Sequence, residues 1–228
     1  MALYASESAA GGNYEPIPEG TYPGICYAII DLGDQYSEKF DKTSHKCKIL
    51  WEVVGETIEV DGKTINRSIS KDYTLSLSKK ANLRSDLRAW RGREFTAEEL
   101  ERFNVKNILG VPCMMNIVHQ TNGDKTYANI ASIMAMPKGM PKPEQTNETI
   151  YWDFDEGTID DAMFQKIPEY IRDKIKESQT YTFITTGDWG NLTTGRQEEI
   201  MQGAAFKALH PEGGEFANLD EDDPEIPF

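Results

Sequence analysis

Lysine, arginine and aromatic side chains recur together through the middle of this chain. Their combination offers one kind of chemistry: cations to meet a phosphate backbone and flat rings on which bases stack. Tyr36, Lys39, Phe40 and Lys42 share a polar stretch, and Lys46 and Lys48 follow at alternating positions. Arg67, Lys71 and Tyr73 share one face of a later alternating run, and Lys125 and Tyr127 follow a tight-turn sequence. Lys80, Arg84, Arg88 and Arg91 recur at i, i+4, i+8 and i+11, with Arg93 after them and Asp86 as the one acid in the run. Each feature has a plainer role. Trp51 and Trp90 have the spacing of core residues, Tyr73 suits a core or a surface, and the cationic stripe equals a solvated helix face.

Catalytic patterns are missing. The sequence has no Gly-rich phosphate loop, nucleophile elbow or paired histidines. His45, His119 and His210 are scattered, and Cys26, Cys47 and Cys113 have neither zinc-site nor disulfide-framework spacing. The expectation is a non-enzyme with no metal and no cofactor, whose cysteines pack as small core residues in a reducing cytosol. Asp160-Asp161 is expected to begin a helix. No apolar run reaches membrane-spanning length and the N-terminus lacks the pattern of a secretory signal, so a cytoplasmic protein without membrane contact is expected.

The net charge of −14 argues against a polyanionic partner until it is divided along the 228 residues. Residues 1–34 hold 5 acids and no Lys or Arg, residues 35–138 hold 17 bases and 13 acids, and residues 139–228 hold 7 bases and 20 acids. A mildly basic body with acidic ends is the pattern of a polyanion-binding domain carrying an acidic tail, or of a domain with a solubilising tail.

The elements that would position these groups follow from periodicity. Strands are expected over 20–32, 46–54, 64–77, 111–119 and 125–136. A flexible loop is expected over 33–45, and Asp61-Gly62 marks a hairpin turn. On the second strand Cys47, Ile49, Trp51 and Val53 point inward, leaving Lys46, Lys48 and Glu52 on an open face. Leu83, Leu87 and Trp90 place a helix over 79–90, capped by Ser78 and stopped by Gly92; Thr96-Ala-Glu-Glu is a capping box for a second helix. Pro137 to Pro143 reads as a boundary. Beyond it a helix begins at Pro168, an extended segment is expected over 180–184, and Thr194-Gly-Arg-Gln opens a helix ending at His210-Pro211. The fold class is therefore mainly β with α (α+β): a five-stranded OB-fold barrel with a helix between strands three and four. The organisation is an N-terminal arm (1–18), the OB domain (19–139), a helical extension (140–211) and a disordered acidic tail (212–228).

The last residues, Asp220, Glu221, Asp222, Asp223, Pro224, Glu225, Ile226, Pro227 and Phe228, resemble the tip of bacterial-type single-stranded DNA-binding proteins. That resemblance implies a partner-binding tip that recruits replication and recombination proteins. The middle resembles the OB-fold single-stranded DNA-binding and replication proteins of tailed bacteriophages. It does so through Tyr73-Thr-Leu-Ser-Leu-Ser-Lys, Ala81-Asn-Leu-Arg-Ser-Asp-Leu, Arg91-Gly-Arg-Glu-Phe-Thr, Leu109-Gly-Val-Pro-Cys-Met-Met-Asn-Ile-Val-His and Tyr127-Ala-Asn-Ile. A segment like Ile167-Pro-Glu-Tyr-Ile-Arg-Asp-Lys-Ile-Lys-Glu-Ser also recurs in such proteins.

Together these features lead to the expectation of a sequence-independent single-stranded DNA-binding protein of an infected bacterial cell, possible as a homo-oligomer. The sixteen cationic and aromatic residues from Tyr36 to Tyr127 named above are its expected contacts. A strand-annealing recombination mediator, and an OB-type adaptor that binds protein and not DNA, are the alternatives.

Overall fold

The computed structural model describes residues 15–211. Its longest uninterrupted apolar run, Ile25 to Ile30, lies in the first strand, β1 (Gly20–Ser37), and is buried on both faces. A strand buried on both faces needs a layer on each side, and the chain supplies two. β2 (Lys42–Val60) pairs with β1 along its length, and β3 (Lys63–Thr74) pairs with β2. β4 (Pro112–Asn122) pairs with the first residues of β1, and β5 (Lys125–Met134) returns along β4. All of these pairings are antiparallel, in the order β3-β2-β1-β4-β5. Cα atoms of β3 and β5 come within 8 Å of each other, but no backbone ladder joins these two edges among the described residues. The chain is thus an α+β protein around a five-stranded antiparallel sheet, and among the described residues no closed barrel is present.

Between β3 and β4 lie α1 (Asn82–Arg91) and α2 (Ala97–Glu101). α1 buries Leu83, Leu87 and Trp90 against Trp51, Tyr73 and the inward residues of β2, forming the first core. Cys26, Cys47 and Cys113 are buried in it as free thiols. Gly92 ends α1 at φ 65°, the left-handed position where glycine carries no Cβ penalty. Its start differs from expectation. Ser78 accepts from the Ala81 N–H in a turn and does not cap, so the helix begins at Asn82 and Lys80 precedes the stripe it was expected to join. The Thr96 capping box is complete, with both reciprocal bonds to Glu99.

The second layer comes from the C-terminal residues. β6 (Ile150–Trp152), a strand not expected from the sequence, pairs in parallel with β1 at Ala28 to Ile30. Then come α3 (Ala162–Lys166), α4 (Glu169–Lys176), α5 (Gln179–Thr186), α6 (Thr194–Gln202) and α7 (Ala204–Leu209). Their Phe164, Ile171, Ile175, Phe183 and Phe206 pack with Trp152 against Ile30, Leu32 and Leu50, forming a second core on the opposite face of the sheet. Each such side chain contributes roughly 1.5–3 kcal/mol when fully buried. Asp161 caps α3, as the Asp160-Asp161 pair foretold.

Four expectations are corrected here. The segment 33–45 is no loop: β1 continues to Ser37, one 3-10 turn spans Glu38–Phe40, and β2 begins at Lys42. Its polar residues are tied down by the C-terminal layer. Asp34 bonds the Thr180 hydroxyl and Arg196 Nε, each at 2.8 Å, and His45 Nε2 lies 2.7 Å from Asp31. A bulge at Gly33 (φ 68°) admits this packing, because a Cβ there would stand 2.7 Å from the Ser178 hydroxyl. Residues 180–184 are helical because Ser178 caps α5 through the Tyr181 N–H. The cap of α6 is Thr193, one residue earlier than expected, and this helix stops at Gly203 before α7. Finally, the face of β2 expected to be open is covered. Glu52 is fully buried and Lys48 nearly so.

Candidate nucleic-acid interface

The strand registers divide the expected contacts between opposite ends of the sheet. β1 is 18 residues long, roughly 60 Å of strand path at about 3.3 Å per residue. Its last residues pair with Lys42 and Thr43, while its first pair with Asn116 and Ile117, beyond which lies the β4–β5 hairpin. Tyr36, Lys39, Phe40 and Lys42 therefore sit at one end and Arg67, Lys125 and Tyr127 toward the other.

At the turn end Phe40 is 72% exposed, with Lys39 Nζ 5.5 Å from its ring centroid. The Tyr36 hydroxyl donates to Asp41 at 2.8 Å. Tyr36 and Lys42 line a cavity of about 540 Å³ shared with Asp34, Asp41 and Arg196. Its two acids and two bases balance, and Arg196 is paired with Asp34 at 2.8 Å.

At the hairpin end lies a larger groove of about 1100 Å³. The β2–β3 hairpin supplies Ile58, Val60 and Ile65, and the β4–β5 hairpin supplies Asp124, Lys125 and Tyr127. β3 adds Arg67, Ser68 and Ser70, with Glu15 to Ile17 and Tyr170 of α4 completing the lining. Tyr127 is 50% exposed and Tyr170 61%. Lys125 has no ion-pair partner among the described residues. Arg67 donates to the Glu15 carbonyl and lies 4.0 Å from Glu56. Two cations thus face two acids, Glu15 and Asp124, so rings rather than charge dominate the groove.

Most of the remaining expected contacts are committed elsewhere, whereas Lys46 and Lys80 have no ion-pair partner among the described residues. Lys48 is paired with Asp72 at 2.5 Å, and Asp72 also binds Lys174 of α4. Burial pushes the Asp72 pKa up, but the hydrogen bonds and charges of Lys174 and Lys48 outweigh it and hold the carboxyl below its ordinary value. Tyr73 is a core residue whose hydroxyl donates to Asp86 at 2.7 Å; burial first, then the Asp86 charge, raises its pKa. Lys71 reaches the same Asp86 oxygen at 2.7 Å. The acid that looked incidental in the basic run therefore anchors two of the residues expected to contact DNA.

On the helix, Arg88 pairs with Glu94 at 3.0 Å. Arg91 lies over the rings of Phe95 and Phe103, 4.4 and 5.2 Å from their centroids, and pairs with Glu99. Arg93 binds Glu99 at 2.7 Å, and its hydrogen bond, with those from the Thr96 N–H and Arg91, pushes the Glu99 pKa down to about 2. Arg84 donates to the Leu77 carbonyl at 3.1 Å. Lys46 is half-buried, opposite Gly33 and Thr74 in the ladders. The tip residues Asp220 to Phe228 lie outside the described residues.

Sequence reasoning missed Tyr170 and the apolar hairpin wall. The signal for Tyr170 was present: Ile167, Ile171 and Ile175 form the buried stripe at i, i+4 and i+8, and Tyr170 stands one place off it. Among the described residues, no group of three or more His, Cys, Asp or Glu side chains could hold a metal ion, and no helix is long and apolar enough to cross a membrane. The chain matches no protein-family model, and no curated protein matches it.

Proposed function

We propose that this chain is a non-catalytic single-stranded DNA-binding protein on an OB-type scaffold, acting in the cytoplasm of a phage-infected bacterium. One observation carries the reading. Two hairpins far apart in sequence flank a groove that gathers Arg67, Lys125 and the exposed ring of Tyr127 beside the β3 and β5 edges. The strand order and the helix between β3 and β4 support the OB assignment, since closing β3 onto β5 would complete a five-stranded barrel. Single strands bind such scaffolds along the second and third strands and the adjoining loops, by stacking and by phosphate contact. The tip at 220–228 recruits partner proteins in this reading, through its acids and Phe228.

A second reading, an adaptor that binds an extended peptide, is favoured by the groove's apolar wall and its balance of two acids with two bases. The test is titration of an oligo-dT of about 30 nucleotides against its duplex, over salt from about 50 to 300 mM. Two phosphate contacts predict a log–log slope near −1.4, or roughly 12-fold weaker binding across that range. Preferred single-strand binding with this shallow slope supports the proposal. A slope steeper than about −4 would move the contacts to the other cations. No binding at low salt would leave the adaptor.

A further inference from the structure

We infer that the C-terminal helical layer is part of the binding surface, with Tyr170 of α4 as a second stacking platform for an unpaired base of a single DNA strand. This rests on the proposed function but goes beyond it, because every DNA contact expected from sequence lay before residue 139. α4 buries Ile171 and Ile175 in the second core, which leaves Tyr170 on the flank that meets β3. There its ring lines the same groove as Tyr127, although one comes from the C-terminal helical layer and the other from the sheet.

The position is held firmly. Lys174 lies one helical turn from Tyr170 on the same face of α4, and it binds Asp72 of β3. The surface beside it is low, because β3 presents the small side chains of Ser68 and Ser70 to the groove. Ser68 is fixed by the Tyr27 hydroxyl, which donates to it at 2.9 Å. A 61% exposed tyrosine on a helix with a complete apolar stripe adds little to folding. Its ring is available to a ligand with a flat face. A single strand is the occupant this lining fits: rings at Tyr127 and Tyr170 for bases, Lys125 and Arg67 for phosphates.

The experiment uses the full chain and the same oligo-dT at low salt. Tyr170→Ala is expected to weaken binding by about 10-fold, within the range of one lost stacking contact, and Tyr170→Phe to bind within about twofold of wild type. Tyr127→Ala should show a similar loss. Photocrosslinking with an iodouracil-substituted strand should label both tyrosines. Equal thermal midpoints for Tyr170→Ala and wild type show that α4 stays docked. Loss of binding in Tyr127→Ala with unchanged affinity in Tyr170→Ala would overturn this inference and leave the groove assignment standing. No binding by the wild type would overturn the functional reading itself, and this inference with it.

Discussion

Replacing Glu52 by Ala is expected to release the segment that ties the C-terminal layer to the sheet. The side chain is fully buried on β2. Its carboxylate accepts from Asn66 Nδ2 at 2.8 Å, Thr146 N at 2.9 Å, Thr146 Oγ1 at 3.2 Å and the Asn147 N–H. Thr146 in turn accepts from the Asn66 N–H at 2.8 Å, so the whole stretch is fastened at this carboxylate. Truncation strands two backbone N–H groups and one amide; the Thr146 hydroxyl, free to rotate, is not counted. At about 1–2 kcal/mol for each stranded donor, the loss is roughly 3–6 kcal/mol. In a chain of this size each kcal/mol moves the thermal midpoint by about 2–4 °C, so Tm should fall by at least about 6 °C. Circular dichroism measures that fall, and trypsin should cut faster at Lys138, which precedes the fastened stretch. The exposed Glu59, bonded to the Thr64 hydroxyl, is the control, and its Ala variant should stay within about 2 °C of wild type. A Glu52→Ala protein with wild-type Tm and wild-type cleavage would refute the fastening role and the burial argument behind it.

Three further outcomes are expected. The Asp72 carboxyl is held below its ordinary value of 3.8 by Lys174 and Lys48, so its contribution to stability is present above pH 3.8 and lost as pH falls through the lower folded value. Tm measured from neutral to acid pH should therefore show Asp72→Asn less stable than wild type near pH 6, with the two converging below 3.8; parallel curves would contradict the assignment. Lys48→Ala, which strips a buried partner from Asp72, should lower Tm while preserving single-strand affinity per folded molecule. Lys125→Ala should do the reverse, weakening binding severalfold at unchanged Tm, and an exchange of these phenotypes would move the interface to the covered face of β2.

Local physics made much of this chain legible in its sequence. Alternation of Cys47, Ile49, Trp51 and Val53 placed β2 on a core, the spacing of Leu83, Leu87 and Trp90 placed α1, and the Thr96 capping box and Gly92 set helix ends. These signals act within a few residues, where side-chain period and backbone sterics decide. What covers the other face of a strand is not local. Lys48 and Glu52 have the pattern of an open face. Only the return of residues 146–206 buries them, pairing Asp72 with Lys174 across 102 residues and Asp34 with Arg196 across 162. The same return separates the expected contacts. A sequence shows how many cations and rings a segment holds but not which acids will claim them. Asp86 and Glu99 claimed Lys71, Arg91 and Arg93, while the two hairpins carried Lys125 and Tyr127 to a groove with Tyr170. Pairing and exposure depend on distances between elements, and those exist only once the sheet and its two layers have packed.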